Sequence, residues 1–478
     1  MNEYRNLAKN TFLFSIGTLG STVISFLLVM IYTRYLTPSE YGIIDLVQTT
    51  ISLMVPIITL QITDAVFRFA MEDNTDKKRL LSTALYFVFT VFLLFSLVSI
   101  YLAIRYIPKE IIPLFYGLVL ANSIIGVQMG FAKGQKDIKT LVVADILASI
   151  FLALIVVIFL VKLQMGIIGY LLAVLSSGIF KSLVLWIKGK MSNYLVQSSD
   201  KRLLKQMLKY SIFLMPNVIM WWIVNVSDRY LLAYFLGIEA VGIYAISYKI
   251  PQLLRIPTMI FYQAWQISAV ETYKSENKDK FYSNILSVYI ALLMLALSVL
   301  ISVLKPLTSV LFSSSFYESW KYAPFLLYGS TFSALSSFSG VAYIASKESK
   351  GALLTSSVAA IVNAIVNIIL IPIWGIYAAS FSTFLAYFTM WVARMIHIRK
   401  FVNLQLNLRK FILAFAITLF QSGTLYIQLS FLEYFVVHTT SILFIILIFR
   451  HEAESLIKTE KDLSREISKI LWRAVQKR

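Results

Sequence analysis

Apolar runs of about 20 residues or more, the length of helix needed to cross a hydrocarbon core, follow one another along almost the whole chain. They fall near 10–33, 42–69, 80–104, 111–132, 141–163, 167–188, 208–236, 243–270, 283–305, 322–344, 352–373, 376–398, 411–429 and 431–449. The period-2 alternation of a membrane-spanning barrel strand is absent from them, so helices that satisfy their own backbone hydrogen bonds are the remaining way to span. The pattern predicts an all-α polytopic membrane protein with fourteen transmembrane helices. The first run has no small-residue cleavage site behind it and reads as a retained helix rather than a signal peptide.

Composition agrees with this reading. The 478 residues are 59% hydrophobic and 14% charged, far from the roughly 25% charged of a soluble domain. With no cysteine and only His397, His438 and His451 as histidines, disulfides and thiol chemistry are excluded. No metal-ligand spacing is present either. No paired carboxylates and no Ser/His/Asp set stand in any outer loop, so an enzyme is not expected. Neither is a cofactor.

The net charge of +19 raises the question of nucleic acid. Its placement argues against that, because a phosphate-reading surface gathers its cations on one face with aromatics to stack on. Here 31 of the 43 lysines and arginines fall in alternate loops and termini, and the intervening loops hold only Arg34, Arg105, Lys109, Lys162, Lys305 and Lys321. The positive-inside rule then puts both termini in the cytoplasm. The tail carries Leu456, Leu463, Ile467 and Ile470 at helical spacing among lysines and arginines, which predicts an amphipathic helix on anionic lipid.

Six cations lie inside the spans. Lys181 and Arg394 are near inner ends, where a long stem can snorkel to water. Arg68, Arg229, Lys249 and Arg255 are deeper, at a cost of about 2.5–3.5 kcal/mol each on insertion scales, and call for a partner or a wet cavity. At about 100° per residue, Lys249, Gln252, Arg255, Met259, Gln263 and Gln266 share an arc of about 120°. Asn217, Trp221, Asn225, Asp228 and Arg229 form a second such stripe, and Asp45 and Gln48 lie on a third. The i,i+4 spacing of Asp64 and Arg68 predicts a salt bridge. Polar stripes of this kind serve either as hydrogen-bonding glue between helices or as the lining of a cavity for an anionic cargo. Asp64 and Asp228 are candidates for coupling to a proton or sodium gradient, and the sequence leaves open whether either ion is used.

A shift of 200 residues aligns KNTFLFSIG (Lys9 to Gly17) with KYSIFLMPN (Lys209 to Asn217), and YLTPSEYGII (Tyr35 to Ile44) with FLGIEAVGIY (Phe235 to Tyr244). Gly42 falls on Gly242. Parallel repeats of six helices predict two pseudo-symmetric lobes that rock against each other: an N-lobe over 1–190, a basic linker over 191–207, and a C-lobe over 208–400. Two additional helices follow over 409–450, with the tail over 451–478.

Five blocks in order, YTRYLTPSEYGIIDL, VPIITLQITDAVFRF, VSDRYLLAYFLGIEAVGIYAISYKIP, FYQAWQISAVE and SKESKGALLTS, resemble the polysaccharide-transporter branch of the multidrug/oligosaccharidyl-lipid/polysaccharide (MOP) exporter superfamily, the Wzx-type flippases. The resemblance runs from about Lys9 through Lys410. It implies a V-shaped bundle like that of the multidrug exporters, and a monomer in the bacterial inner membrane that flips undecaprenyl-diphosphate-linked repeat units by alternating access. It also implies polysaccharide polymerase and glycosyltransferases as partners, and Arg229, Lys249, Arg255 and Arg68 as cavity cations. A lipid II flippase or a multidrug antiporter of the same superfamily are the alternatives.

Overall fold

The computed structural model describes residues 20–106, 108–197, 199–346, 348–452 and 454. The tail helix, and Arg5 and Lys9 of the N-terminus, lie outside them. Helix is the regular secondary structure throughout the described residues. In chain order the α-helices are α1 (Gly20–Tyr35), α2 (Pro38–Thr59), α3 (Ile62–Ala70), α4 (Lys77–Tyr106), α5 (Ile112–Gly134), α6 (Ile138–Val156), α7 (Gly166–Lys188), α8 (Lys201–Ser211), α9 (Met215–Val226), α10 (Asp228–Leu236), α11 (Ile238–Ser247) and α12 (Pro251–Thr272). Then come α13 (Lys278–Leu311), α14 (Ala323–Ser346), α15 (Ser349–Trp374), α16 (Ile376–His397), α17 (Leu408–Thr424) and α18 (Phe431–Ile448).

Each of the fourteen predicted apolar segments holds helix, and ten helices are long and apolar enough to cross a membrane. The other four segments fall short for separate reasons. The first is described only from Gly20, the eighth is broken before Pro251 into a short α11 and an α12 that carries Gln252, Arg255, Gln263 and Gln266, α14 is rich in serine and glycine, and α17 has 17 residues.

Several segments expected to be continuous are interrupted. Helix α2 starts four residues earlier than its apolar pattern, because Thr37 and Glu40 close a reciprocal capping box around Pro38 at the first turn. It runs through Pro56, whose ring supplies no N–H to the preceding turn, and ends at Thr59 against a left-handed cap at Leu60. Leu60 and Gln61 adopt left-handed conformations, φ 46° and 56°, and their amides bond back to the Pro56 and Ile57 carbonyls. Helix α6 runs into a π-helical turn over Val157–Lys162. The seventh segment begins at Lys201, not 208, and passes through a 3-10 turn at Ile212–Leu214 just before Pro216.

The chain folds as two compact units. The first holds Met1–Ile246, Leu311–Tyr317 and Asn367–Ile376. In it α3 packs closely on α5: Gly126, Gly130 and Gly134, four residues apart, let the α5 backbone rest on Thr63, Phe67 and Ala70, the close approach that small residues permit where lipid offers no hydrophobic drive. Beneath them Ile62, Val66, Leu80, Leu81, Val127 and Phe131 form the core. Lys181 of α7 does not snorkel. Its ammonium lies 2.6 Å from Asp145 of α6, and the pair ties the two helices together.

The second unit holds Ser247–Val310, Glu318–Val366 and Tyr377–Arg478. Trp265 of α12 stacks on Phe338 of α14 at 4.4 Å between ring centres and donates its indole N–H to the Phe338 carbonyl at 3.1 Å. Gln421 of α17 donates to Ser302 and the Ser298 carbonyl of α13 and meets His438 Nδ1 of α18 at 3.0 Å. A buried amide thus holds three helices in register, since each of its hydrogens is satisfied only there.

Candidate functional site

In the first unit the polar residues of α2, α9, α10 and α11 converge. Arg229 is 8% exposed and Asp228 is fully buried. The Arg229 guanidinium donates to Asp45 Oδ2 at 2.6 Å through Nε, and through Nη1 to Asp228 Oδ1 at 3.1 Å and the Asn225 carbonyl at 2.9 Å. The Tyr244 hydroxyl donates to the other oxygen of Asp228, and the Tyr244 ring lies beneath the guanidinium at 5.5 Å. Arg229 is therefore tied to two carboxylates, one from α2 and one its own chain neighbour. Such a network fixes helices because breaking one partner strands a charge in a dry interior. Around it Gln48 donates to the Tyr170 hydroxyl at 2.9 Å, and Asn225 donates to the Trp221 carbonyl at 2.6 Å. Asn217 is exposed on α9.

Arg68 and Asp64 stand apart from this cluster. Their expected salt bridge does not form: Asp64 accepts from Gln61 Nε2 at 3.0 Å, and Arg68 turns to Glu72 at 3.4 Å. The left-handed turn at Leu60–Gln61 places the Gln61 amide beside Asp64, and Glu72 follows Arg68 by four residues past the helix end. Both side chains of the Arg68 pair are largely exposed.

In the second unit the break before Pro251 puts Lys249 in the turn between α11 and α12. It is not on the continuous helical face that the spacing suggested. On α12 the rest of that stripe lies away from the side that packs. Leu254, Trp265 and Ala269 are buried. Gln252, Arg255, Met259, Gln263 and Gln266 lie about 100–180° around the helix from Leu254 at about 100° per residue. Gln252 and Arg255 are exposed, and Gln263 and Gln266 are half-buried. Among the described residues neither Lys249 nor Arg255 has a carboxylate within ion-pair distance.

Arg394, expected to snorkel, is instead 5% exposed. It donates to the Ser336 carbonyl of α14 at 2.7 Å and to the Thr355 and Ser356 hydroxyls of α15 at 3.2 Å each. Gly340 makes room for it, since a Cβ there would strike the guanidinium. The serines and Gly340 of α14 were visible as small residues in the sequence, but nothing there marked them as acceptors for an arginine fifty positions on.

Helices of membrane-spanning length, interrupted by prolines and carrying buried ion networks, define a polytopic membrane protein with the fold of the MOP superfamily. Solved structures with this fold include the lipid II flippase MurJ in an inward closed conformation (TM-score 0.68, 14% identity, 92% of this chain and 99% of that one). A multidrug resistance MATE family transporter of the MOP superfamily in an inward-facing conformation gives 0.59 at 15% identity over 80% and 95%. A MOP superfamily transporter from Pyrococcus furiosus, described as having a binding pocket of reverse polarity, gives 0.59 at 13% identity over 83% and 96%. No curated protein matches the chain. The family model described as polysaccharide biosynthesis protein matches residues 7–270, more than half of the chain, and the protein belongs to that family.

Proposed function

We propose that this protein is a flippase that carries undecaprenyl-diphosphate-linked oligosaccharide repeat units across the bacterial cytoplasmic membrane for surface polysaccharide synthesis, by alternating access and as a monomer. The observation that carries the reading is the pair Lys249 and Arg255. Both fall in the eighth apolar segment of the sequence, and neither has a carboxylate partner among the described residues. Cations in such a place are expensive unless something anionic compensates them, and a diphosphate presents the acceptors that ammonium and guanidinium groups bind best. Membership of the polysaccharide biosynthesis family supports the oligosaccharide part of the cargo.

The proposed site consists of Lys249 and Arg255 with Gln252, Gln263 and Gln266 beside them. In this reading Arg229 is a brace rather than a ligand, since Asp45 and Asp228 already hold it. Asp228 or Asp64 remains the candidate for coupling to a proton or sodium gradient. Polymerase and glycosyltransferases would act on either side of the transport step, with both termini of the flippase in the cytoplasm. Replacing Lys249 and Arg255 together with glutamine should abolish surface polysaccharide export while protein abundance stays normal. Full export by that double variant at normal abundance would remove the diphosphate site.

A lipid II flippase is the second reading, supported by the likeness to MurJ over 92% of the chain. Its cargo carries the same polyprenyl diphosphate. Rescue of cells depleted of their own lipid II flippase would favour it; restored surface polysaccharide without such rescue would favour the first.

A further inference from the structure

Helix α8 presents a shallow, open groove along its own surface, lined by Lys201, Leu204, Lys205, Leu208, Lys209 and Ile212. Met207 and Ser211 are fully buried, and Leu203, Leu204 and Leu208 pack against the core of the first unit. That contact fixes how α8 is turned. At about 100° per residue, the three lysines and Ile212 then occupy a stripe about 120–200° from Met207, with Leu204 and Leu208 along its edge. Lys201, Lys205 and Lys209 climb the helix over about 12 Å. All three are exposed. The acid beside them, Asp200, is occupied as the helix N-cap by the Arg202 and Leu203 amides and lies 3.7 Å from Arg79. Among the described residues none of the three lysines has a carboxylate within ion-pair distance.

The upper end of the stripe meets a change of chemistry. Past Lys209 the chain becomes an apolar span, and Ile212 and Phe213 are 46% and 78% exposed. A row of cations ending where exposed apolar side chains begin matches a lipid that is anionic at one end and hydrocarbon at the other. We infer that this groove is a binding site for an anionic glycerophospholipid, with the phosphate along Lys205 and Lys209 and the acyl chain against Ile212 and Phe213. The inference is independent of which cargo the protein moves.

The full-length protein in nanodiscs of mixed phosphatidylglycerol and phosphatidylcholine should retain phosphatidylglycerol selectively on transfer to detergent, measured by native mass spectrometry. Each lysine near a membrane surface contributes about fivefold to the affinity for anionic lipid. Lys205→Gln should therefore weaken retention about fivefold, and the triple change Lys201→Gln, Lys205→Gln, Lys209→Gln should erase the preference. The control Lys188→Gln, Lys190→Gln, Arg202→Gln removes equal charge outside the groove and should keep it. Undiminished preference in the triple variant, or equal loss in the control, overturns the site. Retention of added polyprenyl diphosphate in place of phosphatidylglycerol, lost with the same lysines, would overturn the assignment to phospholipid.

Discussion

Gly42 of α2 and Gly242 of α11 meet backbone to backbone. A Cβ on Gly42 would fall on the carbonyl oxygen of Ile238, and one on Gly242 would fall on that of Pro38. The two glycines lie 200 positions apart, the same shift at which the two stretches of sequence align. Backbone atoms cannot rotate aside as a side chain can. Gly42→Ala and Gly242→Ala should each destabilise the protein by about 1–3 kcal/mol, the usual penalty for overpacking. Gly20, with open space around it, should accept alanine without loss. Thermal unfolding in detergent would separate the two cases, and an unchanged midpoint for Gly242→Ala would sink the argument.

Arg229 braces two acids at once, so its loss strands both. Arg229→Gln should lower the folded protein's stability by about 3–5 kcal/mol, the scale for breaking a buried pair, and reduce its abundance in the membrane. Adding Asp228→Asn alone should recover only part, because Asp45 still faces the vacancy. Adding Asp45→Asn as well should recover more. Abundance measured by quantitative immunoblot, ranked single, double, triple, checks the order.

At Arg394 geometry matters more than charge. The planar guanidinium reaches one carbonyl and two hydroxyls on two helices, a span that a lysine ammonium cannot copy. Arg394→Lys should cost about 1–3 kcal/mol, the penalty for leaving buried acceptors unpaired, with the charge unchanged. Equal melting curves for the two proteins would show the contacts to be dispensable.

Asp200 offers a pH test outside the spans. The Leu203 amide above all, then the Arg202 amide and Arg79, hold its carboxyl below the usual carboxylate value. A group whose pKa is lowered by folding contributes stability above its unfolded pKa and loses it as pH falls through the folded one. Hydrogen exchange at the first turn of α8 should therefore quicken in Asp200→Ala at neutral pH. The difference from the parent should persist down to the ordinary carboxylate pKa of about 4 and vanish only as the pH falls through the lower folded value. A difference that persists in acid would point to some other role for the side chain.

The all-helical character and the order of the apolar segments were legible because a span of apolar residues leaves a long, redundant signal, whereas among the described residues ten of the fourteen hold helices long and apolar enough to cross a membrane. The interruptions were less so. Pro56, Pro216 and Pro251 announce that a helix is disturbed, but not whether it continues past the proline, as α2 does at Pro56 and α12 at Pro257, or starts afresh, as α9 does at Pro216 and α12 at Pro251. For that reason Lys249 was assigned to a helix face it does not share. The polar face of α12 was readable because its buried side is fixed by Trp265. Asp228 was legible as a partner of Arg229, its chain neighbour, but Asp45, 184 positions away, and Asp145, the partner of Lys181 on another helix, were not, because no local periodicity connects them. Arg68 shows the converse error: two residues at helical spacing need not pair when a better placed acid follows.

The left-handed pair Leu60 and Gln61 has a mechanical consequence. Helix α3 is clamped to α5 by the glycines of α5, whereas α2 begins anew on the other side of the pair. Bending a continuous helix stretches its hydrogen bonds; rotating two helices about a joint held by little more than the Leu60 and Gln61 amides stretches few. The second membrane segment is thus built as two levers on one pivot. Spin labels on α2 and α3 should accordingly report a broad distribution of distances between the two helices, while labels on α3 and α5 report a narrow one.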